Sequence, residues 1–151
     1  TGKAQLHSDG TNLWAGGPLF MERMVEGGKA ITTHFKGHMA YINVLSRMSV
    51  DCDCCAVAED PCMKDIGILA SDDPVAIDQA CADAVMASEP LPNTELTDSA
   101  AKMEHNHEHL EGEQAKDPFC ITHPDTDWRA CIAHAEKIGL GSRTYELVKM
   151  K

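Results

Sequence analysis

The stretch Ile66-Gly67-Ile68-Leu69-Ala70-Ser71-Asp72-Asp73-Pro74-Val75-Ala76-Ile77-Asp78-Gln79-Ala80 decides the fold. Its first half is a short apolar run bounded by polar residues, the pattern of a buried strand. Its second half is a helix start: the Asp73 carboxylate can accept from the exposed N–H groups of a first turn, and Pro74 suits that turn because its missing N–H is not needed there. Val75, Ile77, Ala80, Cys81, Ala84 and Val85 then give the helix an apolar face. Upstream, Met39 to Leu45 carries Tyr41, Ile42, Val44 and Leu45 behind Gly37, and reads as a second buried strand. Strands alternating with helices predict an α/β fold, a small mixed or mostly parallel sheet covered by helices. The two strands should be sheet neighbours with the Pro74 helix on one face, and their apolar runs suit burial on both sides.

Residues 1 to 17 are polar, with turn points at Gly10, Gly16 and Gly17, and read as a loop or linker. From Pro18 the spacing of Leu19, Phe20, Met24, Ala30, Ile31 and Phe35 predicts an amphipathic helix, weakened by Gly27-Gly28 and ended by Gly37. Residues 88–118 are punctuated by Pro90, Pro92, Asn93 and Gly112 and are otherwise polar; they read as a mobile excursion with one or two helical turns around Ser99 to His105. Asp125 or Thr126 should cap a helix carrying Trp128, Cys131, Ile132, Ala135 and Ile138, with Gly139 as its left-handed stop. Tyr145, Leu147 and Met150 suggest a closing edge strand.

At 151 residues and 43% hydrophobic content the chain can form a single domain spanning residues 1–151. A formal charge of −11 opposes binding to nucleic acid, anionic membrane surfaces and acidic partners, all of which demand basic patches. No stretch approaches the about 18 apolar residues of a membrane span, and no signal-like leader is visible. Seven cysteines, an odd number without regular spacing, fit a reducing cytoplasm better than a disulfide framework.

Chemistry concentrates in Asp51-Cys52-Asp53-Cys54-Cys55, with Cys62 following. If residues 50 to 54 are extended, Cys52 and Cys54 share a face, so one metal could take both. Cys52 and Cys55 also form a Cys-x-x-Cys, the spacing of zinc knuckles and redox dithiols. No Cys-x-x-Cys-x-x-Cys run is present, so the signature of a self-contained cubane cluster is missing. Free cysteine also packs as a small hydrophobe, and this is the reading for Cys81 and Cys131 at apolar helix positions. The flanking Asp51 and Asp53 argue against so dry a setting for the 52–55 thiols.

His105, His107 and His109 make a second constellation. A helix aligns His105 with His109, a strand aligns all three, and either arrangement can grip a transition metal; solvated histidines in a polar segment are the alternative. His34 and His38 form a weaker i, i+4 pair across Gly37, while His7, His123 and His134 stand alone. Asp72, Asp73 and Asp78 surround the strand-to-helix junction, where open α/β sheets bind ligands. A carboxylate there can act as a general base or hold a hard metal, although Asp73 also has a capping role and Asp78 suits a solvated second turn. No Gly-rich phosphate loop, Gly-x-Ser-x-Gly elbow or His-Glu-x-x-His occurs.

The blocks Tyr41-Ile42-Asn43-Val44, Asp51-Cys52-Asp53-Cys54 and Asp65 to Ala80 resemble the C-terminal part of the DUF362 family, often described as uncharacterised iron–sulfur centre proteins. The ending Ala135-Glu136-Lys137-Ile138-Gly139-Leu140-Gly141 with Tyr145-Glu146-Leu147 is similar to that family's tail. The resemblance implies a larger N-terminal portion and, in many members, a ferredoxin-like insert between a segment similar to Gly2–Ser8 and a helix similar to Phe20–Ile31. Here only Asp9 to Leu19 fill that gap, without a cysteine, so the electron-carrying module is missing. Two functions follow. One is a metal-binding or redox-associated module in which Cys52 and Cys54, with Cys55, Cys62, His105 or His109, hold iron, an iron–sulfur cluster or zinc and work with a ferredoxin-like or other redox partner protein. The other is an enzyme domain with a carboxylate and cysteine cleft near Asp72, Asp73 and Asp78.

Overall fold

The computed structural model describes residues 17–50, 60–106, 114–124 and 127–150, without the side chains of 101–106 and 115. The elements in chain order are α1 (Pro18–His34), β1 (Tyr41–Leu45), β2 (Gly67–Ser71), α2 (Pro74–Met86), α3 (Glu95–Asn106), a 3-10 turn (Gln114–Lys116), α4 (Pro118–Thr122) and α5 (Trp128–Lys137).

The two strands pair directly, as their apolar runs predict, but antiparallel: Tyr41 lies opposite Ser71, and Leu45 opposite Gly67. The fold is a small α/β one, and its sheet is a two-stranded hairpin rather than a parallel array. A parallel pair needs a crossover between its strands, usually a helix, and residues 46–66 supply no described helix. Burial alternates accordingly. Asn43, Leu45 and Leu69 face inward toward α2, while Ile42, Val44 and Ile68 are more than half exposed. The expected cover on both faces is therefore present on one only among the described residues.

α2 is the central element. Asp73 caps it, its Oδ1 accepting from Val75 N at 2.8 Å and Ala76 N at 3.0 Å, with Pro74 in the first turn. Val75 and Ala82 join Val25, Ile132 and Ala135 in a core shared with α1 and α5. Val85 joins Leu45, Cys62, Met63 and Leu96 in a second core beneath the sheet. Each large apolar side chain so buried contributes roughly 1.5–3 kcal/mol before entropy is counted.

Several elements depart from their sequence patterns. In α1 only Val25 is buried, and Leu19, Met24, Ile31 and Phe35 stay exposed. The helix is instead fastened by polar groups: Lys29 Nζ donates to Ile138 O at the end of α5, and Glu26 Oε1 meets His134 Nε2 at 3.2 Å. α3 runs from Glu95, well beyond one or two turns around Ser99, because Leu96 is buried in the second core. α5 is capped by Asp127, whose Oδ1 accepts from Ala130 N at 3.0 Å, rather than by Asp125 or Thr126, which lie outside the described residues. Gly139 makes the expected left-handed stop at φ 73°. Residues 144–150 form no strand. The alternation of Tyr145 and Leu147 breaks at Val148 and Met150, and Tyr145 is tied to α2 through its hydroxyl on Asp83 Oδ2 at 2.8 Å.

Candidate functional site

The thiol run belongs to the connection of the hairpin, residues 46–66. Its described ends are drawn together. Ile66 N donates to Leu45 O at 2.8 Å, Arg47 N to Asp65 Oδ1 at 2.8 Å, and Cys62 N to Met48 O at 2.8 Å. The backbone bond from Arg47, followed by the Ser46 side chain, holds the Asp65 carboxyl below its usual range. On the outer side His123 Nε2 lies 3.0 Å from Val50 O. A carbonyl only accepts, so Nε2 carries the proton. His123 closes α4 at its C-terminal end, the start of that helix being fixed by the Asp117 cap, and a single histidine in the sequence gives no sign of this role.

Cys62 is 5% exposed, and its Sγ donates to Met48 O at 3.2 Å. It is thus packed into the apolar base of the connection. Asp51, Cys52, Asp53, Cys54 and Cys55 lie outside the described residues, as does His109; His105 is on α3, whose side chains there are not described. Among the described residues no three His, Cys, Asp or Glu side chains assemble into a metal-holding group. Cys81 and Cys131 are half-buried free thiols, as their helix positions imply. Burial pushes both thiols up, and the Asp78 charge adds to this.

The three aspartates at the strand-to-helix junction separate. A cleft of about 660 Å³ opens there, between the end of α1, the start of β1 and the first turn of α2, and is lined by Lys29, Lys36, Tyr41, Asp72 and Asp73 among others. Asp73 is committed, since its Oδ2 also accepts from Ser142 N at 2.9 Å. Asp72 is exposed in the cleft and makes no hydrogen bond or ion pair among the described residues. Asp78 points to the inner face of the sheet, where Asn43 Nδ2 donates to its Oδ1 at 3.0 Å. Burial of that carboxyl raises its pKa, and the Asn43 bond only partly offsets the rise.

A further buried carboxylate escaped the sequence patterns. Asp117 is fully buried and caps α4 through Phe119 N at 2.9 Å and Cys120 N at 3.4 Å. Its Oδ2 takes Trp128 Nε1 at 2.8 Å and the Arg129 guanidinium. Burial alone would push this carboxyl up; the four donors together outweigh burial and hold it below the ordinary range. The sequence signal is Asp117-Pro118, the same pair as Asp73-Pro74.

These features define a small α/β fold with a hairpin connection pinned at its described ends and a polar cleft at a strand-to-helix junction. The chain belongs to the family described as "Domain of unknown function (DUF362)", whose model matches residues 1–83. That span takes in the hairpin, the whole thiol run and most of α2, whereas the resembling tail at Ala135–Leu147 lies beyond it. No curated protein and no solved structure matches the chain. Among the described residues no helix is long and apolar enough to cross a membrane.

Proposed function

We propose that this chain is a metal-binding, redox-associated module in which Cys52 and Cys54, with Cys55, hold iron or zinc and serve a ferredoxin-like or other redox partner. The observation that carries this reading is the pinning of the hairpin connection at Met48, Val50 and Cys62. Three thiols and two carboxylates then occur within a loop whose two ends meet. Thiolates are soft, anionic donors suited to iron and zinc, so the donor set fits such a metal. When bound, iron would supply an electron-accepting centre, and zinc a structural or Lewis-acidic one. Cys62 braces the loop, with His123 opposite. His105 and His109 are candidates for completing the coordination.

The test is metal analysis of full-length protein purified without oxygen. Near-stoichiometric iron or zinc is expected, lost in Cys52→Ala/Cys54→Ala and kept in Cys81→Ala/Cys131→Ala. Protein that carries no metal and takes up none under reducing conditions overturns the reading.

A second reading, an enzyme domain, is favoured by one observation: Asp72 stands uncommitted in the cleft with Lys36 and Tyr41. Asp72 would then be the general base, because Asp73 is spent as a cap and Asp78 faces the sheet. Small molecules that raise Tm in the parent protein but not in Asp72→Asn support it. A screen in which every hit persists in that variant removes it.

A further inference from the structure

A second cavity, of about 390 Å³, lies along α2 and shares no lining residue with the Asp72 cleft. Its wall combines Gln79, Asp83, Lys116, Trp128, Arg129 and Arg143. The chain has 13 Lys and Arg against 24 Asp and Glu, so three cations against the one carboxylate of Asp83 on the wall of a small cavity is a local reversal of its charge. They are not equivalent. Arg129 is paired with the buried Asp117 and stacks over the Trp128 ring at 4.3 Å, so its charge is already answered.

Arg143 is held differently. Its Nε donates to Gln79 Oε1 at 3.0 Å, and Gln79 is buried at 8% exposure. Gln79 is fixed in turn, since its Nε2 donates to Asp83 Oδ1 at 2.8 Å. The other oxygen of Asp83 takes the Tyr145 hydroxyl. A neutral amide therefore orients the Arg143 guanidinium without neutralising it. Both terminal nitrogens of Arg143 are left without a partner among the described residues, and Lys116 makes no ion pair among them. A planar fork with free N–H groups, aimed by a buried side chain and accompanied by an ammonium, matches the oxygens of a carboxylate or phosphate.

We propose that this cavity binds a small oxyanion, held by Arg143 and Lys116, with Gln79 as the positioning residue and the Trp128 indole as its apolar wall. Prior fixing of the guanidinium reduces the entropy lost on binding. The site is independent of the metal reading, and either can fail alone.

The experiment titrates the full-length, isotope-labelled protein with inorganic phosphate and, separately, with acetate, following the Arg143 Nε–H and Trp128 Nε1–H resonances. A saturable shift at millimolar concentration is expected for one of the two anions, which assigns the class as phosphate or carboxylate. Arg143→Gln and Lys116→Gln should each weaken binding about tenfold, the loss of one charge-assisted contact. Lys36→Gln, in the other cleft, should leave it unchanged. Gln79→Met preserves volume but offers only a weak thioether acceptor in place of the amide oxygen; it should weaken binding severalfold and move the Arg143 Nε–H resonance toward its unfolded position, with Tm little altered. Absence of a saturable shift with both anions, or parent-like affinity in Arg143→Gln or in Lys116→Gln, overturns the proposal.

Discussion

Asp117 shows how a single carboxylate organises its surroundings. With no exposure it caps α4, takes the Trp128 indole N–H and neutralises Arg129. Substituting Asp117→Asn keeps the volume but removes the buried charge that Arg129 meets there, and should cost about 3 kcal/mol in urea unfolding, the low end for breaking a buried pair because Arg129 keeps some exposure. The pH dependence follows from the direction of the shift. A carboxyl held below its unfolded value of about 3.9 gives its full stabilisation above that value and loses it as pH falls through the lower folded one. The stability gap between parent and Asp117→Asn should therefore be constant near neutrality and narrow below about pH 4. Asp78 has the opposite sign: ionising its raised carboxyl costs the fold stability, a cost that grows as pH rises from the unfolded value through the folded one, and its charge at neutral pH suppresses thiolate formation at Cys81. Asp78→Asn should consequently speed alkylation of Cys81 at pH 8, read by mass spectrometry. The rise should be partial, because burial is the larger cause of the Cys81 shift. Asp73-Pro74 was legible as a cap because an apolar helix period follows it at once. Asp117-Pro118 carries the same signal, but α4 has only five residues, too few to show a period.

At the scale of elements, glycines separate local preference from packing. Gly27 lies in the exposed middle of α1 and an added Cβ would meet nothing within 4 Å, so Gly27→Ala should stabilise the protein by about 0.5–1 kcal/mol. At Gly141 an added Cβ would come within 2.0 Å of Asp73 Oδ1. That carboxylate is held by Val75 N, Ala76 N and Ser142 N, so it cannot retreat without uncapping α2. Gly141→Ala should lower stability by at least the about 1 kcal/mol of a lost cap, seen as a fall in Tm. The close approach of the tail to α2 explains a glycine that no turn requires. The hairpin strands, the limits of α1 and the start of α2 were readable because period, turn residues and caps agree there. The buried side of α1 was not. It meets α5 through Val25, Lys29 and the Glu22 and Glu26 contacts to His134, while its larger apolar residues face outward. A hydrophobic pattern cannot reveal a seam fastened by charged groups.

For the whole molecule, two cores joined by α2 leave the outer face of the hairpin uncovered among the described residues. Ile42, Val44 and Ile68 are 67%, 60% and 71% exposed, so replacing all three by threonine should change stability by less than about 1 kcal/mol while raising solubility. A loss of several kcal/mol in denaturant unfolding would mean that this face is covered in the folded protein. The antiparallel pairing closes the connection at residues 46–66, which in sequence carries Cys52, Cys54, Cys55 and Cys62. A metal held there would tie together a loop whose ends are already joined at Leu45 and Met48. Binding to the folded state alone stabilises by about 2.7 kcal/mol when free metal is a hundredfold above Kd. The gain should be local as well as global. The amides of Cys62 and Ile66, bonded to Met48 O and Leu45 O, should exchange more slowly with metal present, beyond the change at Leu140, whose amide bonds Ala135 O in the other core. Because thiolate ligands must shed protons, the extra protection should vanish on acidification as well as on chelation, and should be missing in Cys52→Ala/Cys54→Ala at every pH. Equal slowing at all three amides, or protection that survives in that variant, would place the metal elsewhere in the molecule.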